Sequence, residues 1–78
     1  MRDTPQPLSI WTIYDHPTDF PNDYVARRYE VVDGGVVATD DVLFAPTANA
    51  LRAQMVDRGL YCLLPEPGDD PKIVESWL

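Results

Sequence analysis

The sequence predicts an α+β fold, a mainly antiparallel sheet in the order β-β-β-α-β-β with one helix packed on one face. Three observations predict it. β-branched and aromatic residues recur in short runs separated by Pro, Gly and Asp. Asp33-Gly34-Gly35 stands between two such runs, where a tight hairpin demands the positive φ that Gly tolerates. One central stretch is bracketed by helix start and stop signals, Thr47 and Gly59.

The first strand is Leu8 to Tyr14, rich in β-branched and aromatic side chains. Pro17 and Pro21 forbid regular pairing over Asp15 to Asp23. Tyr24 to Val32 follows as a second strand. Its alternation sets Val25, Tyr29 and Val31, with Arg27 among them, on an apolar face against Arg28 and Glu30 on the other. Val36 to Ala38 returns as a third strand, which Thr39-Asp40-Asp41 is expected to break. Val42 to Ala45 is then a fourth strand or an extended continuation.

Thr47 is a good N-cap for a helix over about Ala48 to Arg58, with Ala48, Leu51 and Met55 on one face and Gly59 as its stop. Arg58 in the last turn suits the helix dipole. Leu60 to Leu64 is an apolar strand. Pro65 to Pro71 is a proline-bearing loop, and Ile73 to Leu78 closes the chain as a last strand held by Ile73 and Trp77. The chain thus divides into a flexible leader, residues 1–7, and a single domain, residues 8–78.

A chain of 78 residues supports one modest core. Its one cysteine, Cys62, rules out an internal disulfide framework and fits a reducing compartment, so a cytoplasmic location is expected. Cys62 sits in an apolar run and reads as a small buried hydrophobe. No stretch reaches the roughly 20 apolar residues of a membrane helix.

The net charge of −7 argues against direct binding of DNA or RNA, because phosphate contacts need Lys and Arg. The electrostatic counterpart of such a chain is a basic partner. Sequence signatures of chemistry are missing: there is no P-loop, G-x-G-x-x-G, C-x-x-C or H-E-x-x-H. Asp15, His16 and Asp19 are metal-ligand types, but three such groups on a Pro-bearing loop fall short of a lasting site. No cofactor is expected, and the chain reads as non-enzymatic.

Acidic residues are segregated. Nine of the thirteen acids fall in residues 15–23, 33–41 and 65–71, and none of the six Lys and Arg residues does. In an antiparallel meander the 15–23 loop and Asp40-Asp41 should emerge at the same end of the sheet, with Asp33 at the other. The candidate partner-binding residues are Asp15, Asp19, Asp23, Asp40 and Asp41, followed by Asp69 and Asp70. Carboxylates along a rigid ridge can occupy a groove built for phosphates. Phe20 and Tyr24 are candidate aromatic anchors beside them, while Tyr14 reads as core.

Trp11-Thr12-Ile13-Tyr14-Asp15-His16-Pro17-Thr18-Asp19-Phe20-Pro21, then Val25-Ala26-Arg27-Arg28, resembles the start of a family of small uncharacterised proteins from proteobacteria and their phages. Asp69-Asp70-Pro71-Lys72-Ile73-Val74-Glu75-Ser76-Trp77-Leu78 resembles that family's ending. The likeness carries no assigned activity. In size and acidity the chain also resembles small phage-encoded anti-CRISPR proteins of type I systems. These share no common motif, so no residues carry over. That likeness implies an inhibitor that occupies the basic DNA-binding surface of a CRISPR surveillance complex, as a monomer or weak homodimer. The alternatives are a bacterial protein–protein interaction module, homodimeric through an exposed strand edge or apolar patch, and a small metal-dependent enzyme using Asp15, His16 and Asp19.

Overall fold

The computed structural model describes residues 8–65, 68 and 70–78, so the leader, Glu66, Pro67 and Asp69 lie outside the described residues. The elements are β1 (Leu8–Asp15), β2 (Tyr24–Val32), β3 (Gly35–Ala45), α1 (Ala48–Asp57), β4 (Cys62–Leu63) and β5 (Ile73–Trp77). They form one five-stranded sheet in the order β3-β2-β1-β5-β4. Every strand pair is antiparallel. The predicted α+β architecture is the one observed.

The register explains which side chains share a face, because directly opposed residues point the same way. Trp11 pairs with Arg28 and Ile13 with Ala26 across β1 and β2. Trp11 also faces Trp77 on β5, and Ala26 faces Leu43 on β3. The helix covers this face. Its Leu51 and Met55 are fully buried and join Trp11, Ile13, Ala26, Ala45 and Trp77 in one core. The small side chains of Ala26 and Ala45 leave room for the helix to approach the strands. The apolar set Val25, Tyr29 and Val31 therefore lies on the opposite side of the sheet from α1.

The helix begins and ends as its capping residues dictate. Thr47 is extended (φ −135°), and its hydroxyl accepts from the Ala50 amide at 3.2 Å. Gly59 turns left-handed (φ 74°), and the Leu60 amide reaches back to the Met55 carbonyl at 3.2 Å. Arg58 lays its guanidinium over the Trp11 ring, 5.2 Å from its centroid.

Two expectations on the strands are corrected. Thr39-Asp40-Asp41 does not end β3. Between the pairs Arg27–Val42 and Tyr29–Ala38, three residues of β3 oppose Arg28 alone, a bulge within one continuous strand. Thr39 Oγ1 holds it, donating to the Arg28 carbonyl at 2.9 Å and accepting from the Asp41 amide at 3.1 Å. The Leu60–Leu64 strand shortens to Cys62–Leu63 at the sheet edge, which leaves Cys62 exposed instead of buried.

Arg52 of α1 and Glu75 of β5 tie the helix to the sheet, and Trp77 Nε1 donates to Glu75 Oε2 at 2.8 Å. No helix among the described residues is long and apolar enough to cross a membrane.

Candidate functional site

The loop at residues 16–23 starts from a strained point, His16, whose φ of 47° is rare for a side-chain-bearing residue. Its amide donates to the Asp23 carbonyl at 3.1 Å, which closes the loop on itself. The Asp15 amide bonds the Lys72 carbonyl at 2.8 Å, and Lys72 Nζ bonds the His16 carbonyl at 3.0 Å. Asp70 Oδ1 accepts from the Lys72 amide at 2.9 Å. These bonds bring Asp15, Asp19, Asp23 and Asp70 to one end of the sheet.

Asp40 and Asp41 do not join them. They sit in the bulge partway along the edge strand β3, not at its end, because the strand continues through them. Asp69 lies outside the described residues. The predicted ridge therefore resolves into an acidic end and a separate acidic bulge.

Several of these acids already hold partners within the chain. Asp19 pairs with Arg27, and the Asp15 carboxylate meets His16 Nδ1. Asp41 Oδ2 accepts from Arg28 Nε at 2.6 Å, while Arg28 Nη1 reaches Glu30 at 2.9 Å and Ser9 Oγ at 3.0 Å. Among the described residues, Asp23, Asp40 and Asp70 make no ion pair. Nor do three His, Cys, Asp or Glu side chains converge as a metal site would require; Asp19 turns to Arg27, away from Asp15 and His16. The Cys62 thiol is pushed up by desolvation and by the Glu75 carboxylate, which opposes thiolate formation.

The aromatic candidates separate in role. Phe20 stacks edge-on against Phe44 with ring centroids 4.6 Å apart, and Arg27 lies 5.6 Å from the Phe20 ring. The loop thus folds back over one end of the sheet face opposite the helix, beside the fully buried Val25. Tyr24 packs on the core and meets His16 edge-on. Tyr14, read as core, is half-buried on the face away from the helix.

That face is the largest feature without an internal role. Among the described residues, nothing beyond the loop covers it. Ile10, Thr12, Tyr14, Tyr29, Val36, Ile73 and Ser76 line a shallow depression of about 430 Å³ in it. Among the described residues ten large hydrophobics are exposed, and the register puts six of them on this face: Leu8, Val31, Val36, Phe44, Tyr61 and Leu63. At its centre the Tyr14 and Tyr29 hydroxyls bond each other at 2.8 Å. Burial and the Tyr29 hydroxyl push the Tyr14 phenol well above the ordinary tyrosine range, so it stays protonated at neutral pH.

No family model, curated protein or solved structure matches this chain.

What the chain can do is therefore read from its own surfaces. The acid candidates mark the rim and end of the sheet, and sequence reasoning passed over the face itself. A signal was present. Both β1 and β2 alternate with apolar residues on each face, Ile10 and Tyr14 against Trp11 and Ile13, while one helix of 10 residues can cover only one side.

Proposed function

We propose that this chain is a protein-binding module without catalytic chemistry, and that its partner docks on the sheet face opposite α1. The observation that carries the reading is the one-sided cover of the sheet: the helix buries one face, and six exposed large hydrophobics stand on the other. A contiguous apolar surface of this kind marks an interaction site more often than scattered exposed residues do. The magnitudes favour the face over the acids as the source of affinity. Fully burying one Val or Leu contributes about 1.5–3 kcal/mol, whereas an exposed ion pair contributes about 0–1 kcal/mol. The Tyr14 and Tyr29 hydroxyls bond each other, so covering the pair leaves one O–H to be met instead of two.

The test is retention of a specific partner by the purified chain, compared with Val36→Asp on the open face and Val56→Asp on the exposed side of the helix. Val36 and Val56 are both well exposed, so either change leaves the fold intact. A partner kept by the Val56 variant and lost by the Val36 variant supports the reading. Equal retention by both sinks it.

A second reading draws on the acidic end. Asp15, Asp19, Asp23 and Asp70 lie together there, as an inhibitor competing with DNA for the basic surface of a type I CRISPR surveillance complex would need. The pairing of Asp19 with Arg27 weakens it. Asp23→Lys with Asp70→Lys, measured against such a complex, decides it: undiminished inhibition removes the acidic end from the mechanism.

A further inference from the structure

From the charges around the open face we infer that its occupant is a protein surface with an apolar strip flanked by Lys and Arg, not a second copy of this chain. The inference rests on the docking face proposed above and adds the chemistry of what it takes.

The cations of the described chain are drawn away from this face or neutralised on it. Arg28 points to the helix side, opposite Trp11, and is shared by Asp41 and Glu30. Arg52 is held by Glu75, and Arg58 lies over Trp11. Lys72 stands at the sheet end with its ammonium on the His16 carbonyl. Arg27 alone belongs to the open face by register, and Asp19 pairs with it.

Acids remain on the rim. Asp40 is exposed in the bulge between Ala38 and Val42, whose register places them on the open face. Asp70 stands at the end of the depression, where its carbonyl accepts from the amide of the lining residue Ile73 at 2.9 Å. Neither makes an ion pair among the described residues. Among the described residues the face is therefore an apolar floor with acids at its border and no free cation. Stacking a second copy on it would set border against border in two chains of net charge −7 each. The border selects the sign of the partner, and the floor supplies the affinity.

The experiment titrates the isotope-labelled full chain with two short synthetic peptides, alternating Leu-Lys and alternating Leu-Glu, and follows backbone amides by NMR. The Leu-Lys peptide is expected to shift Ile10, Tyr14, Tyr29 and Val36 while leaving α1 unmoved. Its binding should weaken roughly tenfold between about 50 and about 300 mM salt, and the Leu-Glu peptide should bind at least about tenfold more weakly. Val36→Asp should weaken the Leu-Lys peptide about tenfold although it adds a negative charge. Shifts spread over α1, equal binding of the two peptides, or unchanged or tighter binding by Val36→Asp would each overturn the inference. Sedimentation equilibrium of the parent chain should show a monomer. A concentration-dependent dimer that Val36→Asp dissolves would give the face to a second copy and also overturn it. If a natural partner is lost with Val36→Asp yet ignores salt, the docking face stands and only the cationic border of the partner is wrong.

Discussion

Arg52 on α1 holds both carboxylate oxygens of Glu75 on β5, with Nε 2.9 Å from Oε2 and Nη2 3.0 Å from Oε1. The two ends of this contact are unequal. Glu75 is buried at 4% exposure, whereas the Arg52 side chain keeps 40% of its surface in water. Burial pushes the Glu75 carboxyl up, but the Arg52 guanidinium and the Trp77 indole more than offset it, and the carboxyl ends below its ordinary range. This fork joins α1 to β5 and so anchors the covered face of the sheet.

Removing Arg52 should therefore cost more than removing most surface arginines. Arg52→Met leaves a buried carboxylate without its cation, at about 3 kcal/mol, read as a lower midpoint in urea at pH 7. The pH dependence carries the sign. In the parent chain, Glu75 is depressed, so its contribution is present above the ordinary carboxylate value of 4.5 and is lost as pH falls through the folded-state value below it. In Arg52→Met, burial acts without its counterweight, the folded-state value rises, and protonation relieves the site. The stability gap between parent and variant should be widest near neutrality and narrow as pH falls through the carboxylate range. A gap independent of pH would show that the fork does not control Glu75.

The elements were legible because each rests on local chemistry. Thr47 and Gly59 frame α1 by capping and by left-handed backbone, and Gly34-Gly35 turn β2 into β3 with φ of 91° and 149°. The face that α1 covers was not legible. Val25, Tyr29 and Val31 look more like core than Ala26 does, yet Ala26 is buried under the helix because a small side chain lets the helix sit close. Cys62 was misjudged because an apolar run does not reveal that only two of its residues pair, at an edge. The pairing of the acids was not legible for a similar reason. Which carboxylate meets which guanidinium depends on register and loop path, and no spacing in the sequence shows that Asp19 returns to Arg27 or that Asp41 lies beside Arg28.

The 16–23 loop should loosen as a unit when its aromatic contact is lost. Phe20→Ala removes the edge-on pair with Phe44 and the seat of the Arg27 guanidinium. The expected loss is about 1–2 kcal/mol, because an aromatic pair adds to the area it buries and Phe20 is only half-buried. Asp19→Asn should cost under about 1 kcal/mol, since its side chain is 56% exposed. Hydrogen exchange at the Phe20 and Asp23 amides, which bond Pro17 and Phe20 carbonyls, should accelerate in the first variant while α1 is unchanged. Unaltered exchange there would mean that the backbone bonds, not Phe20, hold the loop.

The Tyr14–Tyr29 pair offers a spectroscopic handle on the open face. Tyr29→Phe removes a hydroxyl that raises the Tyr14 phenol, so Tyr14 should ionise at lower pH in the variant, yet above the ordinary value of 10.0 because burial remains. An ultraviolet titration of tyrosinate resolves the change once Tyr14→Phe has identified its signal. The linkage runs opposite to that of Glu75. A raised phenol contributes stability that is complete below the unfolded-state value and is lost as pH rises toward the folded-state value. Alkaline unfolding should begin later in pH when Tyr14 itself is replaced by Phe, provided the packing of the ring is kept. No movement of the Tyr14 signal on removing Tyr29 would deny the hydroxyl contact at 2.8 Å.

The bulge on β3 limits how another strand can pair with the open edge of the sheet. β3 is an edge strand of 11 residues, long enough to template pairing with another chain. Thr39, Asp40 and Asp41 interrupt its ladder, and two adjacent carboxylates repel an incoming strand of the same kind. Replacing Asp40 and Asp41 together with Val supplies an apolar, strand-forming edge and removes both charges. Arg28 keeps its contact with Glu30 at 2.9 Å, so the sheet itself should persist by circular dichroism. The double variant should scatter light and form oligomers at concentrations where the parent stays dispersed. Low salt should not rescue it, because the repelling carboxylates are gone, whereas restoring Asp40 alone should reverse most of the association. If the double variant remains as dispersed as the parent, the bulge geometry protects the edge without help from its charges, and deletion of two residues within Thr39–Asp41, which restores a one-to-one ladder, becomes the change that exposes it.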